Sequence, residues 1–375
     1  MKRLTAIVIV SGFLSFILSG KVFALSDNEV NSQHIAEADG ISGQNADTGS
    51  GVKTNHIQDD AVTASKIANG AVTSGKIATG AVGTNNIASD AVTANKIGFY
   101  GKVVVVALEG GDYTDPATAM DNYPAWCGAL SETTPCLLKI MPGVYNIGSN
   151  CVGMQSYIDI EGSGENTTVI IGNGNSPGVV CGADHAEIRF LKVESTGGSG
   201  SMNRGVGNNS SSPFMSGMTT TASGGNLSVG VENVSSSPFM SNVKANAWGA
   251  DTNFGVANEK SSSPDMTNVI AVANGGTMSI GVSNRASSPS MNHVRAVAKK
   301  GTKTNIGVYN GTSGTVKIDH SVIIGATRTI YNDAGVTTRV GNTKLDGKAK
   351  YNKGTLTCAG VYDENYTFYA GPDCP

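Results

Sequence analysis

The dipeptide Gly-Val recurs five times between residues 205 and 308, starting at Gly205, Gly230, Gly255, Gly281 and Gly307. Successive starts lie 25, 25, 26 and 26 residues apart. The first four are each followed by a Ser-Pro step: Ser212-Pro213, Ser237-Pro238, Ser263-Pro264 and Ser288-Pro289. Two residues beyond each proline stands a methionine: Met215, Met240, Met266 and Met291. A unit this short cannot bury its own apolar face, so the repeat demands a stack in which each unit covers the next.

Within the repeats, apolar and polar residues alternate. Met240-SN-Val243-K-Ala245-N-Ala247 is followed by Met266-TN-Val269-I-Ala271-V-Ala273 and by Met291-NH-Val294-R-Ala296-V-Ala298. Ile188-RF-Leu191-K-Val193 shows the same pattern earlier, and Ile318-DHS-Val322 keeps part of it. Period-two alternation marks half-buried strands. Stacking then predicts inward columns: Val206, Val231, Val256, Val282 and Val308 form one, and the four methionines continued by Ile318 form another. Asn208, Asn233, Asn258, Asn284 and Asn310 each lie three residues after a repeat glycine and are read as a turn ladder. The Ser-Pro column is read as a second turn, with proline fixing φ at a bend.

Residues 103–172 resemble the opening of pectin-lyase-like right-handed parallel β-helix proteins. The matching pieces are the Val103–Leu108 run with the segment that follows it, then Leu137-LKIMPGVYNI, then Tyr157-IDIEGSGENTTVIIG. The resemblance implies a strand and an end-capping helix over Pro116–Ala125, a strand with a Pro-Gly-x-Tyr turn, and a strand ending in Gly-x-Gly. The expected fold is therefore all-β, a right-handed parallel β-helix of about eight or nine coils. At about 4.8 Å per rung this is a rod of roughly 40 Å. The cap and first coils are assigned to 99–175, the repeated coils to 176–354 and a C-terminal cap to 355–375.

A second repeat precedes this body. Ile57, Ile67, Ile77, Ile87 and Ile97 stand ten residues apart, with Ala-Val pairs at 61–62, 71–72, 81–82 and 91–92. Thr63, Thr73 and Thr93 suit helix N-caps. One turn of helix is not stable alone, and one chain has too few apolar residues here for a core. The segment resembles the decapeptide stems of bacteriophage head and tail fibres. That resemblance implies a short helix-turn stem over 57–98 and a homotrimer assembled through residues 57–97. A flexible linker is the alternative. Residues 25–56 are read as a loose leader.

The first residues read as an export signal: basic Lys2 and Arg3, an apolar run from Leu4 to Leu18, and Val22-Phe23-Ala24 as the cleavage site. The run is short for a membrane span, so residues 1–24 are expected to be removed, with no transmembrane segment in the remainder. Removal takes away Lys2, Arg3 and Lys21 and no acid, which changes the formal charge from -3 to -6. A mildly acidic chain without a basic block has no electrostatic reason to bind nucleic acid. The six cysteines all follow residue 126: Cys127, Cys136, Cys151, Cys181, Cys358 and Cys374. An exported chain with an even count predicts disulfides. Of fifteen pairings, sequence proximity favours Cys127–Cys136 and Cys358–Cys374, leaving Cys151–Cys181.

Chemistry is less legible. Enzymes of the resembled family place acids and cations on one outer face of adjacent coils, because glycosidic cleavage needs paired carboxylates and elimination needs a base beside a cation. The repeated coils carry few acids (Glu232, Asp251, Glu259 and Asp265), and no recognised catalytic motif is present. Asp319-His320 near Arg328 is the best local cluster. No cofactor and no metal site is expected; only His293 and His320, of five histidines, fall where rungs would bring them together. Trp248 with Asp251 is the candidate ligand-binding position, since an exposed indole stacks on a sugar ring. Tyr362, Tyr366, Phe368 and Tyr369 are read as a plug for the far end of the core, or else as a binding tip. The expectation is an exported, non-enzymatic, fibre-like surface protein or adhesin that binds a polysaccharide or cell-surface glycan, or serves as a spacer. The alternative is a secreted polysaccharide-active lyase or glycoside hydrolase.

Overall fold

The computed structural model of the protein describes residues 63, 67, 71, 72, 77, 100–174, 177–197, 202–348 and 350–375. The expected signal (1–24), the leader (25–56) and, apart from five single positions, the stem (57–98) lie outside the described residues. The compact unit Ser89–Pro375 holds the solenoid.

Among the described residues the strands form a 20-stranded sheet and a nine-stranded sheet. Every rung pairs with the next in parallel; the one antiparallel pair is the terminal hairpin that sets Val361 against Tyr369 and Tyr362 against Phe368. The expected columns are present. Val206, Val231, Val256, Val282, Val308 and then Ile330 stack in register in the nine-stranded sheet. Met215, Met240, Met266, Met291 and Ile318 do so in the 20-stranded sheet. All of these side chains are buried. Each rung therefore covers the apolar atoms of its neighbour, as a repeat without a private core requires.

The repeat glycine marks a close approach of backbone to backbone. A Cβ on Gly255 would lie 2.6 Å from the Gly281 carbonyl oxygen and 2.7 Å from the Val272 nitrogen. Only glycine fits between these backbones, which explains why this position opens every repeat.

The asparagine column is buried inside the strands rather than set at a turn. Asn208 Nδ2 donates to Asn233 Oδ1, Asn233 to Asn258, Asn258 to Asn284 and Asn284 to Asn310, each at 2.8 Å. Asn310 passes the chain on to Thr338 Oγ1 at 3.0 Å. A carboxamide is both donor and acceptor, so a column of identical residues satisfies itself along the stack. The turn ladder is made by the serines instead. The Ser237 and Ser263 amides donate to Ser212 Oγ and Ser237 Oγ at 2.9 and 3.0 Å.

The ends are closed. Pro116–Asp121 and Tyr123–Trp126 are short helices. Asp115 caps the first by accepting from the Thr118 amide at 2.7 Å, with proline at the first helical position, where its missing N–H costs nothing. Ala117, Ala119 and Met120 are buried on the core. The disulfides are Cys127–Cys136, Cys151–Cys181 and Cys358–Cys374, with Cα–Cα distances of 6.0, 6.2 and 5.2 Å. At the C-terminal end, Val361, Cys358 and Cys374 are buried and Leu356 packs beside them. The tail aromatics do not plug the core: Tyr362, Tyr366 and Phe368 are 38%, 70% and 57% exposed. Smaller residues already fill that end, which leaves the rings on the surface.

Candidate functional site

The outer surface of the 20-stranded sheet presents two rows of side chains, one residue per rung in each. One row runs Glu187, Phe214, Phe239, Asp265, Ser290, Lys317, Arg339 and Thr357. The other runs Arg189, Ser216, Ser241, Thr267, Asn292, Asp319, Gly341 and Ala359. Titratable groups gather at the two ends of this face, and the two gatherings differ in character.

At the N-terminal end the charges neutralise one another. Arg189 donates to Glu161 at 2.7 Å and pairs with Glu187, and Lys139 Nζ lies 2.7 Å from Glu161. Tyr100 donates to Asp159 at 2.8 Å and accepts from Arg189 at 2.9 Å. Asp159 and Glu187 also accept from the Glu187 amide and Ser216 Oγ, at 2.8 and 2.7 Å. Partial burial, reinforced by the Asp159 carboxylate, pushes the Tyr100 phenol up to about 12. Burial alone would raise Glu161, but its bonds to Lys139 and Arg189 prevail and hold it below the usual carboxylate range. All three carboxylates are occupied, so this cluster ties the first rungs together. Sequence reading missed it because Tyr100 and Arg189 are 89 positions apart. The alternation around Ile158 and Ile188 does mark Asp159, Glu161 and Arg189 as outward, and aligning the core columns would have superposed them.

At the C-terminal end the groups are open to solvent. Below Asp319 its row shrinks to Gly341 and Ala359, which leaves a cleft of about 560 Å³. Lys317, Asp319, Arg339 and Asn342 line it. A Cβ on Gly341 would lie 2.8 Å from Asp319 Oδ1, so the absent side chain is what frees the carboxylate. Asp319 Oδ2 lies 3.1 Å from His320 Nδ1, with the two side chains 51% and 52% exposed. Oδ1 accepts from the His320 amide at 3.1 Å and from Asn342 Nδ2 at 3.3 Å. The two groups are close enough to form an ion pair when the imidazole carries a proton. The His293 ring stacks on His320 at 5.3 Å and 13°, which fixes the plane of the imidazole.

His320 sits in an unusual backbone position. The turn column Gly217, Asn242, Asn268, His293, His320, Asn342 and Gly360 has positive φ throughout. Glycine and asparagine adopt this region most readily. The two histidines take φ 52° and 45°, which their residue type also adopts more readily than most.

The other sequence candidates fall elsewhere. Arg328 does not join Asp319 and His320; it lies on the nine-stranded sheet, 5.3 Å from the Tyr351 ring centroid. Lys317 and Arg339 supply the cations instead. Trp248 is 51% exposed and Asp251 is exposed on the same turn, outside the cleft. Glu232 pairs with Arg204, and burial raises its carboxyl. His185 stacks on Tyr157 at 5.4 Å; His34 and His56 lie outside the described residues. Among the described residues, no group of three or more His, Cys, Asp and Glu side chains converges, and no helix is long and apolar enough to cross a membrane.

No protein-family model and no curated protein matches the chain. Solved structures do. Pectin methylesterase PemA from Erwinia chrysanthemi is 13% identical, with 72% of this chain and 85% of that one covered and a TM-score of 0.40. Pectin methylesterase from carrot is 14% identical, covering 67% and 82%, with a TM-score of 0.41. The catalytic domain of GH87 alpha-1,3-glucanase in complex with nigerose is 12% identical, covering 70% and 58%, with a TM-score of 0.38. The fold itself is a parallel β-solenoid, as the in-register stacking of its rungs shows. The expectation of a non-enzymatic fibre-like protein is corrected here: the three solved structures just named are polysaccharide-active enzymes by their own descriptions.

Proposed function

We propose that this parallel β-solenoid is a polysaccharide-active enzyme whose substrate is an acidic glycan held in the Asp319–His320 cleft. The observation that carries the reading is Asp319, which lines one cleft with Lys317 and Arg339 and has the exposed imidazole of its neighbour His320 3.1 Å from its carboxylate. Asp319 orients the ring and stabilises the imidazolium that forms, leaving Nε2 to act as general base. Lys317 and Arg339 lie side by side on adjacent strands and would hold a uronate carboxylate; neutralising that charge acidifies the neighbouring C–H bond. His320 then takes that proton. The C–H electron pair becomes a ring double bond, and the glycosidic bond breaks with its electrons on oxygen, which takes a proton from water. Elimination fits better than hydrolysis. Among the described residues lining the cleft Asp319 is the sole carboxylate, and hydrolysis calls for two.

The test is depolymerisation of polygalacturonate beside a neutral glucan. Chain shortening is expected with the acidic polymer alone, and Arg339→Ala is expected to raise KM about 10-fold through loss of one charged contact. Equal action on the neutral glucan, or none on any acidic polymer, would overturn the reading. Export after Ala24 and assembly into a homotrimer through residues 57–97 belong to the same proposal, supported by the basic-apolar start and the strict Ile and Val columns. The secreted chain should begin at Leu25 and have the native mass of three copies. A monomer would make the decapeptides a linker.

A further inference from the structure

The exposed rings of the C-terminal hairpin lie next to the cleft. Gly360 joins the two: a Cβ there would lie 3.0 Å from Asn342 Oδ1 and 3.8 Å from the Phe368 ring. Asn342 is the residue that donates to Asp319. Ala359 stands two rungs beyond Asp319 in the same outward row, about 10 Å away at roughly 4.8 Å per rung. Between them the row holds only Gly341. The floor from the acid-base pair to the hairpin is therefore free of large side chains.

The rings are fixed before any ligand arrives. Tyr362 and Phe368 pair across the hairpin with ring centroids 5.3 Å apart and a tilt of 50°. Tyr366 packs on Tyr362 at 6.4 Å, and Lys344 Nζ lies 4.3 Å from the Tyr366 centroid. Asp363 accepts from the Asn365 and Thr367 amides at 2.9 and 2.8 Å, which closes the turn between the rings. Cys358–Cys374 brackets the whole segment. A surface that holds Phe368 at 57% and Tyr366 at 70% exposure keeps apolar area in water that a sugar face can cover, with little ordering cost left at binding.

We propose that Phe368 and Tyr362 form a sugar-stacking platform for the same glycan chain, about two sugar residues from the bond that breaks. This rests on the cleft being the site of action. The chain would run along the solenoid axis over Gly341 and Ala359, with its reacting uronate on Lys317 and Arg339 and a later ring on the aromatic hairpin. Phe368 and Tyr362 are then specificity-determining residues for chain length, not catalytic residues.

The test uses the full chain and a ladder of oligogalacturonides of increasing length, with kcat and KM measured for each. For the unaltered protein, KM should fall once the oligomer is long enough to reach the hairpin. In Phe368→Ala that fall should be lost, a KM rise of about 10-fold for long oligomers, with kcat and short-oligomer KM unchanged. Phe368→Trp should restore the fall. Phe239→Ala, on the same face but toward the other end, should leave it intact. If Phe368→Ala keeps the length dependence while the protein cleaves the ladder, the platform is wrong and the cleft stands. If the unaltered protein neither binds nor cleaves any member of the ladder, both readings fail together. A rise in KM at every length would also overturn the platform, and would mean that Phe368 supports the cleft itself.

Discussion

Replacing His320 with alanine is expected to lower kcat on an acidic polysaccharide by about 10²–10⁴-fold, the usual contribution of a positioned general base. KM should barely move if, as proposed, His320 takes the substrate's proton while Lys317 and Arg339 hold its charge. The fold should survive: the His320 side chain is half exposed and sits on a turn, not in the core. The substitution removes one ring of the stack with His293 and places alanine at positive φ, which costs about 1 kcal/mol. A small fall in the unfolding temperature beside lost turnover is thus the expected pair of results. Asp319→Asn should produce a smaller loss at the same step, since it can keep the imidazole in place yet cannot stabilise the imidazolium. If His320→Ala retains full kcat, the base lies elsewhere and the Asp319–His320 pair is a turn device.

Asn258→Ala is expected to have the opposite profile, with a large stability loss and no specific effect on chemistry. Asn258 accepts from Asn233 and donates to Asn284 at 2.8 Å, and all three residues are buried. Truncation strands one donor and one acceptor in the core. Each unsatisfied group costs about 1–3 kcal/mol, so the total is about 4 kcal/mol. A solenoid offers no route around the defect, because each rung touches only its neighbours. The denaturation midpoint by circular dichroism is the readout. A change below about 1 kcal/mol would mean that water enters the column and replaces the missing carboxamide.

The legible parts of the fold were those that repeat. A column of identical residues at fixed spacing is a statement about contact between rungs, and Val256, Met266 and the glycine before each valine could be placed from spacing alone. The asparagines were legible as a ladder but not as a buried one. Spacing gives the partner one rung away; it does not say which wall of the coil a position occupies, and Asn258 lies two residues beyond Val256, on the same inward side of its strand. The site was half legible. Asp319-His320 is a sequence neighbour pair, and so could be read directly. Its cations were misjudged because closeness in a solenoid follows rung register, not sequence distance. Arg328 is nearer in sequence but has crossed to the other sheet, whereas Arg339 is one full rung on and sits beside Lys317. The network around Arg189 was missed for the same reason, although aligning the core columns brings its rungs together. The tail aromatics are read from sequence as a plug or else a binding tip; Val361 and the Cys358–Cys374 bridge already close that end, which overturns the plug.

The central claim is that this chain breaks an acidic glycan by elimination at the Asp319–His320 cleft. The most direct measurement is the structure of the product formed from polygalacturonate by the purified chain, followed by ultraviolet absorbance of the new double bond and by mass spectrometry. The account predicts an unsaturated uronate at each new non-reducing end, formed by the unaltered protein and not by His320→Ala. Saturated fragments, or an intact polymer after prolonged incubation with every acidic polysaccharide tried, would contradict it.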